Sequence, residues 1–160
     1  MNVKGSAAEG PLVSIVDDDA STRRSVQRLI GSFGLRAEAF ASAQEFLGSG
    51  RIQETVLLIL DVLMPDMDGL ELQDLLGSND YRIPIIFVTA YASDDQQRRA
   101  TQAGAVAFLR KPVSEQTLIS EIQAVLRHGR QDQNLIDRGN QPALPRSPER
   151  NALCCKKPNL

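Results

Sequence analysis

No tryptophan occurs in the 160 residues, and aromatic residues make up only 4%. Any core must therefore be built from Val, Ile, Leu and Ala. The only cysteines, Cys154 and Cys155, are chain neighbours. Neighbours cannot staple distant segments, so a disulfide framework is excluded, which suits a reducing cytosol. Met1–Gly10 lacks an apolar stretch, so no signal peptide is expected. The longest apolar runs, such as Val56–Leu60, fall far short of the roughly 20 residues that cross a bilayer. A cytoplasmic protein without a membrane partner is expected. A strong charge of one sign is also lacking, since the net charge is -2. Residues 1–128 carry 12 basic and 17 acidic side chains, and residues 129–160 carry 6 and 3. The body is acidic and the tail mildly basic, too sparsely for direct DNA binding to be expected.

Five short apolar runs are present: Leu12–Val16, Leu35–Phe40, Val56–Leu60, Ile83–Val88 and Val106–Leu109. Most are nearly continuous, as strands buried on both faces of a parallel sheet are. The second alternates and reads as an edge strand. Helical patterns lie between the runs. The first starts near Ala20, with Val26, Leu29, Ile30 and Phe33 on one face. Ser42-Ala43-Gln44-Glu45 and Ser93-Asp94-Asp95-Gln96 have capping-box form and open the second and fourth helices. Gly104 can close the fourth. The third follows Asp68-Gly69, with Leu70, Leu72, Leu75 and Leu76. Ser114 caps the fifth, whose buried stripe is Leu118, Ile122, Val125 and Leu126. The expectation is an α/β fold of five β-α units: a doubly wound, five-stranded parallel sheet with helices on both faces. Residues 11–128 form the domain. Residues 1–10 and 129–160 are expected to be flexible. The helical pattern stops after Arg127, and four of the eight prolines follow, so a disordered C-terminal tail is expected.

Such sheets carry their sites at the carboxyl ends of the strands. The first run ends in Asp17-Asp18-Asp19, the third in Asp61, the fourth in Thr89, the fifth in Lys111. The topology brings these tips together. Clustered carboxylates repel unless a cation sits among them. An all-oxygen, hydrated site suits Mg²⁺. One carboxylate can then attack a phosphoryl group and form an acyl phosphate. Lys111 would neutralise charge on the transferring group, and Thr89 would donate a hydrogen bond to it. Taken singly each residue has a plainer role: a helix N-terminus, a turn, a strand-end hydroxyl, a solvated lysine. Four at the ends of four strands are hard to obtain by chance.

The stretches Ile15-Val16-Asp17-Asp18, Leu60-Asp61-Val62-Leu63-Met64-Pro65-Asp66-Met67-Asp68-Gly69, Val88-Thr89-Ala90 and Leu109-Arg110-Lys111-Pro112 resemble the four signatures of response-regulator receiver domains of the CheY-like superfamily. The chain is most similar to FixJ-type receivers, and the resemblance covers about residues 11–128. It implies that Asp61 is the phosphorylation site. It implies that Asp18 holds Mg²⁺ directly and Asp17 largely through water, with Asp61 and the Leu63 carbonyl completing the ligands. Thr89 and Lys111 would contact the phosphoryl group, and Lys111-Pro112 would be a cis peptide. Asp19 is expected to cap the first helix.

The resemblance also implies a switch. Thr89 would move toward the phosphoryl group and Phe108 would fill the space, altering the surface of helix four, strand five and helix five. Leu63 and Tyr91 are expected at the mouth of the site. Both are bulky and Leu63 cannot orient water, so slow self-hydrolysis is expected. The only histidine, His128, is a poor phosphoryl donor. The expected partner is a sensor histidine kinase or a histidine phosphotransfer protein, with a phosphorylation-dependent homodimer as a further expectation. The domain is expected to act as a phospho-acceptor in two-component signalling rather than as a turnover enzyme. Three rivals stand beside this reading. A haloacid-dehalogenase-type phosphatase would need a second Asp where Leu63 stands. A flavodoxin-like cofactor binder would need a phosphate-binding glycine loop, which the chain lacks. A FixJ-type transcriptional regulator shortened by loss of its DNA-binding domain accounts for the short tail equally well. Cys154 and Cys155 receive no role.

Overall fold

The computed structural model describes the backbone of residues 10–139 and the side chains of residues 10–129. The elements run β1 (Leu12–Val16), α1 (Ala20–Ser32), β2 (Arg36–Phe40), α2 (Ala43–Gly48), a 3-10 turn (Ile52–Glu54), β3 (Thr55–Leu60), α3 (Gly69–Ser78), β4 (Ile85–Thr89), α4 (Asp94–Gln102), β5 (Ala107–Arg110) and α5 (Glu115–Gly139). The strands form one parallel sheet in the order β2-β1-β3-β4-β5. The expected fold is the one found.

Successive strand side chains point to opposite faces, so two cores arise. Val16, Leu58, Leu60 and Phe87 bury against α2, α3 and α4, through Phe46, Leu70, Leu72, Leu76 and Ala100. Val13, Ile15, Leu57, Ile59, Ile86 and Val88 bury against α1 and α5, through Val26, Ile30, Leu118 and Ile122. Each such aliphatic side chain contributes about 1.5–3 kcal/mol. The alternating β2 lies at the edge, half-buried over most of its length. Ser14 and Thr55 are polar and buried. The Thr55 hydroxyl donates to the Arg51 carbonyl at 2.8 Å. Its single proton is then committed, so Ser14 donates in the 2.8 Å Ser14–Thr55 bond.

Four local readings differ from the sequence pattern. The helical pattern puts Phe33 on the buried face of α1, yet it is 51% exposed. The helix ends at Ser32 and the chain reverses at Gly34, whose φ is +76°. The ring therefore lies past the last turn, in a surface depression with Leu35 and Leu126. Val56 is exposed because the β1–β3 register shifts between Leu12 and Val13, which pair with Thr55 and Leu57. In α2 only half of the capping box forms. Ser42 accepts from the Glu45 amide, but the Glu45 carboxylate turns to the Ala41 amide at 2.6 Å. Finally, α5 continues to Gly139, past the expected end at residue 128. Residues 130–138 contain no Pro or Gly to stop it, and the first downstream proline is Pro142. The rest of the expected tail, residues 140–160, and Cys154 and Cys155 lie outside the described residues, as do residues 1–9.

Candidate functional site

Register carries the site. Val16 pairs with Leu60, and Leu60 with Phe87, while Thr89 pairs with Arg110. The residues that follow these pairs, Asp17, Asp61, Ala90 and Lys111, therefore lie at one end of the sheet. The Asp61 amide donates to the Val16 carbonyl at 2.9 Å, and the Lys111 amide to the Thr89 carbonyl at 2.8 Å. These bonds extend the ladder one residue past β3 and β5 and hold the tips in place.

Asp17 is 3% exposed and Asp61 8% exposed, while Asp18 reaches solvent. One carboxylate oxygen from each of Asp17, Asp18 and Asp61 lies within 4.8 Å of the others. The Lys111 ammonium donates to Asp17 Oδ2 at 2.9 Å and stands 3.9 Å from Asp61 Oδ2. Asp61 Oδ1 accepts from the Leu63 amide at 3.3 Å. Burial pushes the Asp61 carboxyl above the ordinary aspartate range, and the Asp17 charge adds to this, while the nearby Thr89 hydroxyl and Lys111 oppose it. Asp17 Oδ1 accepts from the Asp19 amide at 2.8 Å. Asp19 caps α1 through the Thr22 amide at 2.7 Å, which lowers its carboxyl from the usual value.

The remaining expected residues lie on several elements. Thr89 is buried, and its hydroxyl donates to the Tyr91 carbonyl at 3.0 Å. Leu63 is 49% exposed and Tyr91 78% exposed. The Phe108 ring lies against Phe87, with centroids 5.6 Å apart, and packs at the edge of the core. Lys111-Pro112 is cis. His128, expected as a helix-end residue, is exposed in α5, and its Nδ1 lies 2.7 Å from the Ala124 carbonyl. No helix among the described residues is long and apolar enough to cross a membrane.

Two residues of the site were not singled out for it in the sequence. Gly69, the first residue of α3, donates its amide to the Val62 carbonyl at 2.8 Å. A Cβ there would overlap the Asp61 carbonyl oxygen and approach the Phe87 ring to 3.1 Å. Arg23 Nη1 donates to the Asp17 carbonyl at 2.7 Å. Neither is visible locally, because each partner comes from another element or from the far side of a turn.

Residues 13–123 match the family model of the response regulator receiver domain. The chain belongs to that family. It is 40% identical over 124 residues to Nodulation protein W of Bradyrhizobium diazoefficiens, covering 78% of this chain and 55% of that one. It is 33% identical over 116 residues to Transcriptional regulatory protein FixJ of Rhizobium meliloti, covering 72% of this chain and 57% of FixJ. The receiver domain therefore spans about half the length of the curated relatives it matches. Among solved structures, a CheY-like receiver domain protein from Methanospirillum hungatei superposes with a TM-score of 0.71 at 30% identity, covering 77% of this chain and 98% of that chain. The receiver identity places the chain in two-component signalling, and the FixJ likeness expected from the motifs is present.

Proposed function

We propose that Asp61 is the phospho-acceptor of this receiver. One observation carries the reading: three carboxylates from two strand ends converge with the ammonium of Lys111 from a third. Asp61 Oδ2 faces Lys111, while Oδ1 is tethered by the Leu63 amide. An Asp61 oxygen forms the new bond to phosphorus as the donor's bond to phosphorus breaks, and that electron pair leaves with the donor group. Lys111 shifts from Asp17 toward the transferred group and balances its charge. The hard oxygen donors of Asp17, Asp18, Asp61 and the Leu63 carbonyl suit Mg²⁺, which would supply charge neutralisation there.

Thr89 is the link to the surface. To donate to the phosphoryl group, its hydroxyl releases the Tyr91 carbonyl. That carbonyl lies in the segment leading to Ser93, the cap of α4. Phe108, whose ring is tilted against Phe87, is the side chain that follows Thr89 inward. The α4-β5-α5 face changes as a result, and it is the surface for a phosphorylation-dependent homodimer. The phosphoryl donor is a sensor histidine kinase or a phosphotransfer protein of the cytoplasm. Leu63 and Tyr91, both exposed, stand where an attacking water would enter and lengthen the life of the aspartyl phosphate. The domain acts as a phosphate store rather than a turnover enzyme.

The test is intact-mass analysis after incubation with Mg²⁺ and acetyl phosphate. The wild type gains one phosphoryl group and Asp61→Asn gains none. A wild type that stays unmodified overturns the reading.

A further inference from the structure

We propose that Arg23 is a positioning residue for the divalent-cation site, acting through the peptide between Asp17 and Asp18. The inference rests on the reading that Asp17, Asp18 and Asp61 hold Mg²⁺. Asp17 is tethered at every polar atom. Its amide donates to Phe40 O at 3.2 Å, Oδ1 accepts from the Asp19 amide at 2.8 Å, and Oδ2 accepts from Lys111 at 2.9 Å. Its carbonyl accepts from Arg23 Nη1 at 2.7 Å. Asp18 is the opposite case. It is exposed, and its carboxylate has no hydrogen bond or ion pair among the described residues. Backbone alone aims it.

The peptide unit is planar. Fixing the Asp17 carbonyl oxygen therefore fixes the whole plane that carries the Asp18 amide and Cα. The rotation of that plane decides whether the Asp18 carboxylate meets Asp17 and Asp61 or swings into solvent. Arg23 holds the plane from one turn into α1, where its own amide bonds to the Asp19 carbonyl at 3.0 Å.

Charge pulls an arginine both ways at this position. It lies near the start of α1, where a cation opposes the helix dipole, while the Asp19 cap and the Asp17 and Asp18 carboxylates attract it. It also lies behind a site meant for another cation. A cation placed here for its charge alone would weaken metal binding. Its placement is explained by the hydrogen bond it makes, and the two roles predict effects of opposite sign.

Mg²⁺ alone is titrated calorimetrically into the full chain and into Arg23→Ala, Arg23→Gln and Arg23→Lys. Apo melting temperatures are recorded for each. Positioning predicts that Arg23→Ala and Arg23→Gln weaken Mg²⁺ binding about tenfold, the scale of losing a group that orients a metal ligand. Arg23→Lys, which keeps a donor in reach, recovers binding to within a few-fold of wild type. Affinity that is unchanged or tighter in Arg23→Ala and Arg23→Gln, beside a wild type that binds, overturns the inference and leaves the cation site standing. If Arg23→Ala does not fold, Arg23→Gln decides by the same readout. A wild type that binds no Mg²⁺ overturns the cation site and the inference together.

Discussion

Gly69 shows how much a missing side chain can fix. The first turn of α3 sits so close to the Asp61 carbonyl that a methyl group has no place. Gly69→Ala is expected to destabilise the fold by about 3 kcal/mol, the upper range for overpacking. The Asp61 backbone is the element that must yield, so acceptance of a phosphoryl group from acetyl phosphate falls as well. Urea denaturation and intact mass report the two effects. Leu63 acts in the other direction. Leu63→Asn puts a hydrogen-bonding group where water must approach, and the aspartyl phosphate is expected to decay several-fold faster, as followed by loss of the added mass with time. Equal decay in the two proteins would remove Leu63 from the account. Asp17, Asp61, Thr89 and Lys111 were legible because each ends or closely follows an apolar run and register did the rest. Gly69 and Arg23 were not, since one makes room for the Asp61 carbonyl across the β3–α3 loop and the other makes a hydrogen bond across a turn.

At the scale of elements, α4 depends on its ends. Only Ala100 of its residues is buried, so packing contributes little. Its reciprocal cap, Ser93 to the Gln96 amide at 3.2 Å and Gln96 to the Ser93 amide at 2.9 Å, sets where it begins. Four polar contacts join it to neighbours: Arg99 to Asp74 of α3, the Gln73 side chain of α3 to the Ala100 carbonyl, and Arg110 of β5 to both Asp94 and Gln97. The two ion pairs are exposed and screened by solvent, so they add little. Ser93→Ala is expected to cost about 1 kcal/mol and to speed amide exchange in α4 before the rest of the domain, as hydrogen-deuterium exchange would show. The capping signal was legible in full here and only by half in α2, where Glu45 chose the Ala41 amide. Strand limits were legible to within two residues because buried strands are continuous apolar runs. The ends of α1 and α5 depart from the sequence pattern for a common reason. Periodicity marks which face is buried, whereas a helix stops where backbone conformation or proline stops it.

For the whole molecule, the site opposes the stability of the apo fold. An aspartate whose folded-state pKa is raised binds protons more readily folded than unfolded, so its ionisation costs stability. That cost is absent below the ordinary aspartate value of 3.8. It grows as pH rises toward the folded-state value and stands in full above it. In metal-free buffer at neutral pH, Asp61→Asn is expected to melt several degrees higher than the wild type. The gain should shrink as the pH approaches 4 and vanish below. A gain that persists at low pH would point to packing instead. The same cluster has a thermodynamic consequence. Three carboxylates with one ammonium leave a surplus of two negative charges, the complement of a single divalent ion. A phosphoryl group arriving on Asp61 enlarges that surplus. Whatever factor it adds to the affinity for the ion, the ion must add in return to the stability of the acyl phosphate, because coupling free energies are reciprocal. On the proposed role of Asp61, the fraction of receivers that stay phosphorylated would thereby be tied to the free magnesium of the compartment as well as to the supply of phosphoryl donor.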